Sequence, residues 1–263
     1  MRIEKTKIKT SKGMLEYHVC GTGTPGIVLI NGGSGPIEGW MKILPDLSEI
    51  SSVFSYNRFG VADSDKPKEP QDGNTIIEAL REALTLVGFA PPYLLVGHSL
   101  GGLYANLYAR LYPDELAGIV FLESSHPDDI HLHEYQGKFV KALNKLLSLF
   151  DLLHPHKKFS EVHFVKNTVE QIDQIEFFPG IPVWVVTGGK ENRLMPAEAR
   201  KKRRDNQLKL LSLSNGSKHI TAHNSGHFPQ LSEPQTVVDA IRECLKQIKL
   251  TAHTNDTTDE ERE

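Results

Sequence analysis

Short apolar runs and amphipathic stretches alternate along most of the chain, a pattern that predicts a mostly parallel sheet covered by helices on both faces. Gly26-Ile27-Val28-Leu29-Ile30 is apolar without interruption, as a strand buried on both faces requires. Further strands are predicted at residues 52–56, 93–96, 118–122, 181–186 and 218–222. Helical spacing joins Ile76, Ile77, Leu80, Leu84 and Val87 and stops before Pro91-Pro92. Leu100, Leu103, Tyr104, Leu107 and Leu111 line a second helix, closed by Pro113-Asp114. A basic helix is expected over 196–213, and a final amphipathic helix carries Val237, Val238, Ile241, Leu245 and Ile248. The alternation breaks between about residues 126 and 180. That stretch has an apolar helical stripe over 139–150 and a second helical pattern over 165–175. It reads as a helical cap inserted into a core formed by residues 1–125 and 181–250. Residues 251–263 are acidic and Thr-rich without apolar periodicity, and disorder is expected there.

Composition narrows the class. A chain of 263 residues suffices for one large α/β domain, and its 39% apolar and 24% charged residues are those of a globular enzyme. A formal net charge of -3 and a pI near 6.5 give no general attraction to nucleic acid or anionic membrane. No apolar run reaches membrane-spanning length, and no apolar stretch follows the charges at the N-terminus as in a secretory signal. Cys20 and Cys244 stand far apart and outside any Cys-x-x-Cys pattern, which suits free thiols in a reducing compartment. A cytoplasmic protein is expected.

The candidate chemistry centres on Gly97-His98-Ser99-Leu100-Gly101, set between a predicted strand and a predicted helix. A serine nucleophile needs a sharp turn that lifts its hydroxyl clear of the sheet, and side chains two residues to either side would collide with the neighbouring strand and helix. Glycine at 97 and 101 removes both collisions. The hydroxyl also needs a neutral histidine to take its proton and a carboxylate to orient that histidine. His227, beside Gly226 in the loop between the last predicted strand and the final helix, is best placed. His223 lies four residues upstream, and His98 is expected to be structural. An oxyanion would be held by backbone N–H groups: that of Leu100, directly after the serine, and that of Gly33 in Asn31-Gly32-Gly33-Ser34-Gly35-Pro36. No Lys-Ser or Lys-Thr follows that loop, so it does not read as a phosphate cradle.

Taken together, the serine turn, the glycine-rich loop after an earlier strand and the terminal Gly226-His227-Phe228-Pro229 resemble the α/β-hydrolase superfamily over essentially the whole chain to about residue 250. The segment Tyr56-Asn57-Arg58-Phe59-Gly60-Val61-Ala62-Asp63-Ser64 is similar to the superfamily's Asp-Arg-x-Gly-x-Gly-x-Ser turn, with Asn57 for the aspartate and Ala62 for the second glycine. The resemblance implies the chain order serine, acid, histidine, and two acids satisfy it. Glu191 stands where the superfamily most often has aspartate. Glu123 is similar to the alternative acid position of some haloalkane dehalogenases. Glu123 is favoured, because a strand-end carboxylate beneath a cap is costly to bury without a partner, whereas Glu191 stands among charges in a loop.

The implied activity is that of a carboxylesterase-like serine hydrolase acting on a small-molecule ester, with no cofactor and no metal. His126, His131, His133 and Glu134, with Asp128 and Asp129, form no ligand pattern of diagnostic spacing. Lys201-Lys202-Arg203-Arg204 reads as a solvated helix face. Hydrolysis of a lactone, a carbon–carbon bond or an N-terminal peptide stays open within the fold, as does a ligand-binding module with little turnover. Because imidazole accepts a proton only when neutral, activity is expected to fall as the pH drops through roughly 6–7. A pH–rate profile measures this, and a rate flat down to about pH 4.5 would contradict it.

Overall fold

The computed structural model describes residues 3–135, 157–191 and 195–260. Eight strands form one sheet: β1 (Thr6–Thr10), β2 (Gly13–Cys20), β3 (Gly26–Ile30), β4 (Val53–Asn57), β5 (Tyr93–His98), β6 (Leu116–Leu122), β7 (Val183–Gly188) and β8 (Lys218–Ala222). Their order across the sheet is β1-β2-β4-β3-β5-β6-β7-β8. Pairing is parallel from β4 through β8, while β2 is antiparallel to both β1 and β4. The expected α/β architecture with a mostly parallel sheet is borne out.

Every residue of β3, β4 and β5 is buried, and successive residues serve opposite faces. Val28, Ile30 and Leu95 pack with α2 (Gly73–Leu86) and α3 (Gly101–Leu111). Ile27, Leu29, Leu94 and Val96 pack on the other face with α1 (Leu44–Ser48) and the final helix, Pro234–Glu260, through Leu44, Val237 and Ile241. Each such buried aliphatic side chain contributes roughly 1.5–3 kcal/mol, which is why these continuous apolar runs are the firmest part of the pattern.

Three departures have physical reasons. The hairpin β1–β2 was not expected from sequence. Its edge strand Thr-Lys-Ile-Lys-Thr is polar at most positions, as an edge that must not recruit another chain should be. The last helix continues to Glu260, beyond the apolar positions that end at Ile248. Core-packed turns at Val237–Leu245 meet the nucleation cost, and propagation then adds residues cheaply. In the expected insertion, the apolar stripe over 139–150 lies outside the described residues. The second pattern forms α4 (Val165–Asp173), whose Val169 and Ile172 are buried in the α2–α3 cluster, so this part packs beside the core.

The strand order also locates a crevice. From β3 the chain moves to β4 on one side and then crosses to β5 on the other. At such a reversal the connections diverge and leave a cleft outside the carboxyl ends of the strands. The loop after β3 and the turn after β5 therefore face each other. Among the described residues, no helix is long and apolar enough to cross a membrane.

Candidate active site

Three side chains from separate elements converge at this crevice. Ser99 follows β5 in a left-handed conformation, with φ of 51°. Its N–H donates to the Leu122 carbonyl at 3.1 Å and its carbonyl accepts from the Ser125 N–H at 2.9 Å, which stitches the turn to the end of β6. A Cβ on Gly101 would lie 2.2 Å from the Ile30 carbonyl oxygen, and one on Gly97 would lie 2.8 Å from the Gly101 oxygen. Both obstacles are backbone, so neither can swing aside as a flexible side chain would.

His227 Nε2 lies 3.1 Å from Ser99 Oγ, and His227 Nδ1 lies 3.3 Å from Glu123 Oε2. Glu123 takes the first position after β6 with φ of 43°. Its Oε1 accepts the Gly188 N–H at 2.6 Å. Arg203, on α5 (Ala197–Lys209), donates to the Glu123 carbonyl at 3.1 Å and stands 3.7 Å from Oε2. Burial pushes this carboxyl up. The hydrogen bond from His227, the Gly188 amide and the Arg203 charge together outweigh burial and hold it below the usual carboxylate range. Glu191, by contrast, has a side chain 59% exposed and pairs with Arg200 at 3.3 Å. The geometry thus brings Glu123, and not Glu191, to the histidine.

The histidine loop is held from beneath. Gly189 N–H donates to the Ala222 carbonyl and Lys190 N–H to the Ser225 carbonyl, both at 2.8 Å. His98 Nε2 donates to the His227 carbonyl at 2.7 Å, so the acceptor fixes its tautomer. Burial depresses the His98 pKa to about 4, which keeps the ring neutral in this role.

On the other side of Ser99, the Leu100 and Gly33 amides have no protein acceptor among the described residues. The loop that carries Gly33 is shaped by a buried ion pair that sequence reasoning missed. Arg58 donates to the Asn31 carbonyl at 2.9 Å, to the Gly32 carbonyl and to Glu161. Glu161 Oε1 in turn accepts the Ser34 N–H at 2.7 Å. The Gly32 carbonyl and the Gly33 N–H belong to one planar trans peptide and point in opposite directions. Holding the carbonyl toward Arg58 therefore turns the Gly33 N–H away from it. The side chains of Arg58 and Glu161 are only 3% and 6% exposed. The one signal in the sequence was the Asn57-Arg58-Phe59-Gly60 turn.

The departure at Asn57 from the expected turn has a structural reason. Asn57 Oδ1 accepts the Ile37 N–H at 2.8 Å while Nδ2 donates to Glu16 Oε2 at 2.5 Å, a donation that an aspartate carboxylate could not make. Ala62 adopts φ of 45°, the conformation for which glycine is the usual residue. Asp128 pairs with Lys209, and Asp129 with Arg203 and Asn206, which ties the start of the insertion to α5. Among the described residues there is no group of three His, Cys, Asp or Glu side chains that could hold a metal.

A family profile described as alpha/beta hydrolase fold matches residues 25–157. The uncharacterized protein YqjL of Bacillus subtilis is 25% identical over 239 residues, spanning 91% of this chain and 90% of that protein. Other curated relatives are matched over less than half of their own length. Among solved structures, a bromoperoxidase from Bacillus anthracis superposes with a TM-score of 0.65 at 19% identity, covering 93% of this chain and all of that one. A thermophilic esterase from Thermogutta terrifontis superposes with a TM-score of 0.63 at 17% identity, covering 93% and 99%. At these identities the structural likenesses speak for the fold.

Two outcomes are expected. Arg58→Met leaves the Glu161 charge buried without its partner and should destabilise the protein by about 3–5 kcal/mol. Arg58→Met/Glu161→Leu should recover only part of this, because the Asn31 and Gly32 carbonyls still lack their donor. Urea unfolding of the three proteins measures this. For His98, the folded-state pKa lies below the ordinary value of about 6.5, so the unfolded chain binds the extra proton first as the pH falls. Stability should drop between about pH 6.5 and pH 4, by up to about 3 kcal/mol from this group. His98→Phe should flatten that part of the slope in urea midpoints recorded against pH.

Proposed function

Because the chain belongs to the alpha/beta hydrolase family, we propose that it is a serine hydrolase cleaving small or medium carboxylic esters through an acyl-enzyme intermediate. The observation that carries this reading is the continuous hydrogen-bonded line from Ser99 through His227 to Glu123, opening on a cleft of about 810 Å³. A cleft of that size suits a small organic substrate.

In this reading His227 Nε2 takes the hydroxyl proton as Ser99 Oγ bonds to the ester carbonyl carbon. The carbonyl electron pair moves onto oxygen, and the N–H groups of Leu100 and Gly33 hold the charge that develops there. Collapse re-forms the carbonyl and expels the alcohol oxygen, which leaves with the proton from His227. Water then gives a proton to His227, attacks the acyl carbon and releases the acid and free Ser99 by the same sequence. Glu123 remains ionised throughout. It accepts a hydrogen bond from His227 Nδ1–H and stabilises the imidazolium that forms in each step. Both cysteines are free, which suits the reducing cytoplasm proposed as its location.

The test is labelling with a fluorophosphonate probe together with turnover of a graded series of p-nitrophenyl acyl esters. Ser99 should be the labelled residue, and Ser99→Ala should lose both label and turnover. An unlabelled Ser99 in the folded protein would overturn the reading in favour of a binding module. Glu123→Gln should lower turnover by on the order of 10⁴, as loss of the orienting acid does in serine proteases. Glu191→Gln should stay within about twofold, as expected of an exposed ion pair. The reverse result would move the acid to Glu191.

A further inference from the structure

The basic run 201–204 does not lie on a purely solvated face. Helix α5 turns Ala197, Arg200, Lys201, Arg203, Arg204 and Gln207 toward the cleft that holds Ser99 and His227. Their three- and four-residue spacing puts them on one side of the helix, a wall about 15 Å long. Four of the six are cations, and Lys190, in the loop after β7, adds a fifth. The carboxylates lining the same cleft are Glu123 and Glu191. A chain of formal net charge -3 thus presents an excess of positive charge beside its candidate nucleophile.

Two of these cations have partners. Arg200 pairs with Glu191, and Arg203 is shared between Glu123 and Asp129. Lys190, Lys201 and Arg204 have no acidic partner among the described residues. Core packing does not account for the arrangement, since the buried residues of α5 are Ala199, Asn206 and Gln207. Like charges three and four residues apart weaken a helix by a few tenths of a kcal/mol per pair, a cost that an anion in the cleft would remove. A cleft lined by one sign of charge also concentrates ligands of the opposite sign.

We infer that Lys190, Lys201 and Arg204 form a recognition wall for an anionic group of the substrate, so that the preferred ester carries a carboxylate or a phosphate on its acyl part. This inference rests on the serine hydrolase reading for the chemistry at Ser99, and not for the binding of the anion.

The experiment compares p-nitrophenyl butyrate with mono-p-nitrophenyl glutarate and with a p-nitrophenyl butyrate bearing a terminal phosphate. One or both anionic esters should show a KM lower by about tenfold or more, and about 0.5 M NaCl should abolish that advantage. The ester with the larger gain identifies carboxylate or phosphate as the natural group. Lys201→Glu/Arg204→Glu should raise KM for the anionic ester by about tenfold and leave the neutral ester within about twofold. Lys201→Gln/Arg204→Gln, a milder change, should act in the same direction. Equal KM values for neutral and anionic esters, or equal losses on both in the variants, would overturn the inference. Calorimetric binding of glutarate and of inorganic phosphate to Ser99→Ala separates the two proposals. Salt-sensitive binding without Ser99 labelling in the parent protein would remove the hydrolase reading and keep the anion wall. No binding of either anion, with neutral ester turnover intact, would do the reverse.

Discussion

The structure depends on a crossing of backbones at the end of β5. For Ser99 to stand in a left-handed turn between β5 and α3, the first residue of α3 must pass against the carbonyls that end β3. Only a residue without a side chain fits there, and Gly101 supplies it. Once the crossing is made, β3, β5 and α3 are locked in mutual register. The loop after β3 then has one place to go, across the face of Ser99. The catalytic geometry proposed here is therefore a product of the sheet's central packing, and the same buried contacts that stabilise the fold also aim the hydroxyl.

A second constraint shapes that loop. Arg58 satisfies the Asn31 and Gly32 carbonyls from below while Glu161 receives the Ser34 amide. A buried ion pair seldom repays its desolvation in stability alone. Here its hydrogen bonds fix the orientation of successive peptide groups, and Glu161 anchors the insertion at the same point. Residues from the core turn, the glycine-rich loop and the insertion are thus joined through one guanidinium. Tyr104 adds a further contact, its hydroxyl donating to Glu161 Oε2 at 3.2 Å.

Much of this was legible in the chain, and the rest was hidden for identifiable reasons. The buried strands could be read because a strand covered on both faces must be apolar at every position. The serine turn could be read because its steric demand falls on residue type, and only glycine meets it. Choosing between Glu123 and Glu191 was harder, since both are glutamates in an admissible order. What separates them is burial and the Gly188 amide, neither of which is a property of residue type. The Arg58–Glu161 pair spans 103 positions and joins the end of a strand to a segment without periodicity. Four consecutive basic residues likewise occupy every side of a helix, so the run alone cannot tell which of them turn inward.

The position of Glu123 carries a consequence for how such a molecule diversifies. With its carboxylate supplied from the end of β6, the described residues of the connection from β7 into α5 support the histidine through backbone amides, those of Gly188, Gly189 and Lys190, and Arg203 on α5 adds its side chain. The side chains of Lys190, Glu191 and Met195 in this stretch line the cleft. Preference for one substrate over another can then drift through that segment while the proton relay stays untouched, a separation of duties that ties innovation to one short stretch of chain.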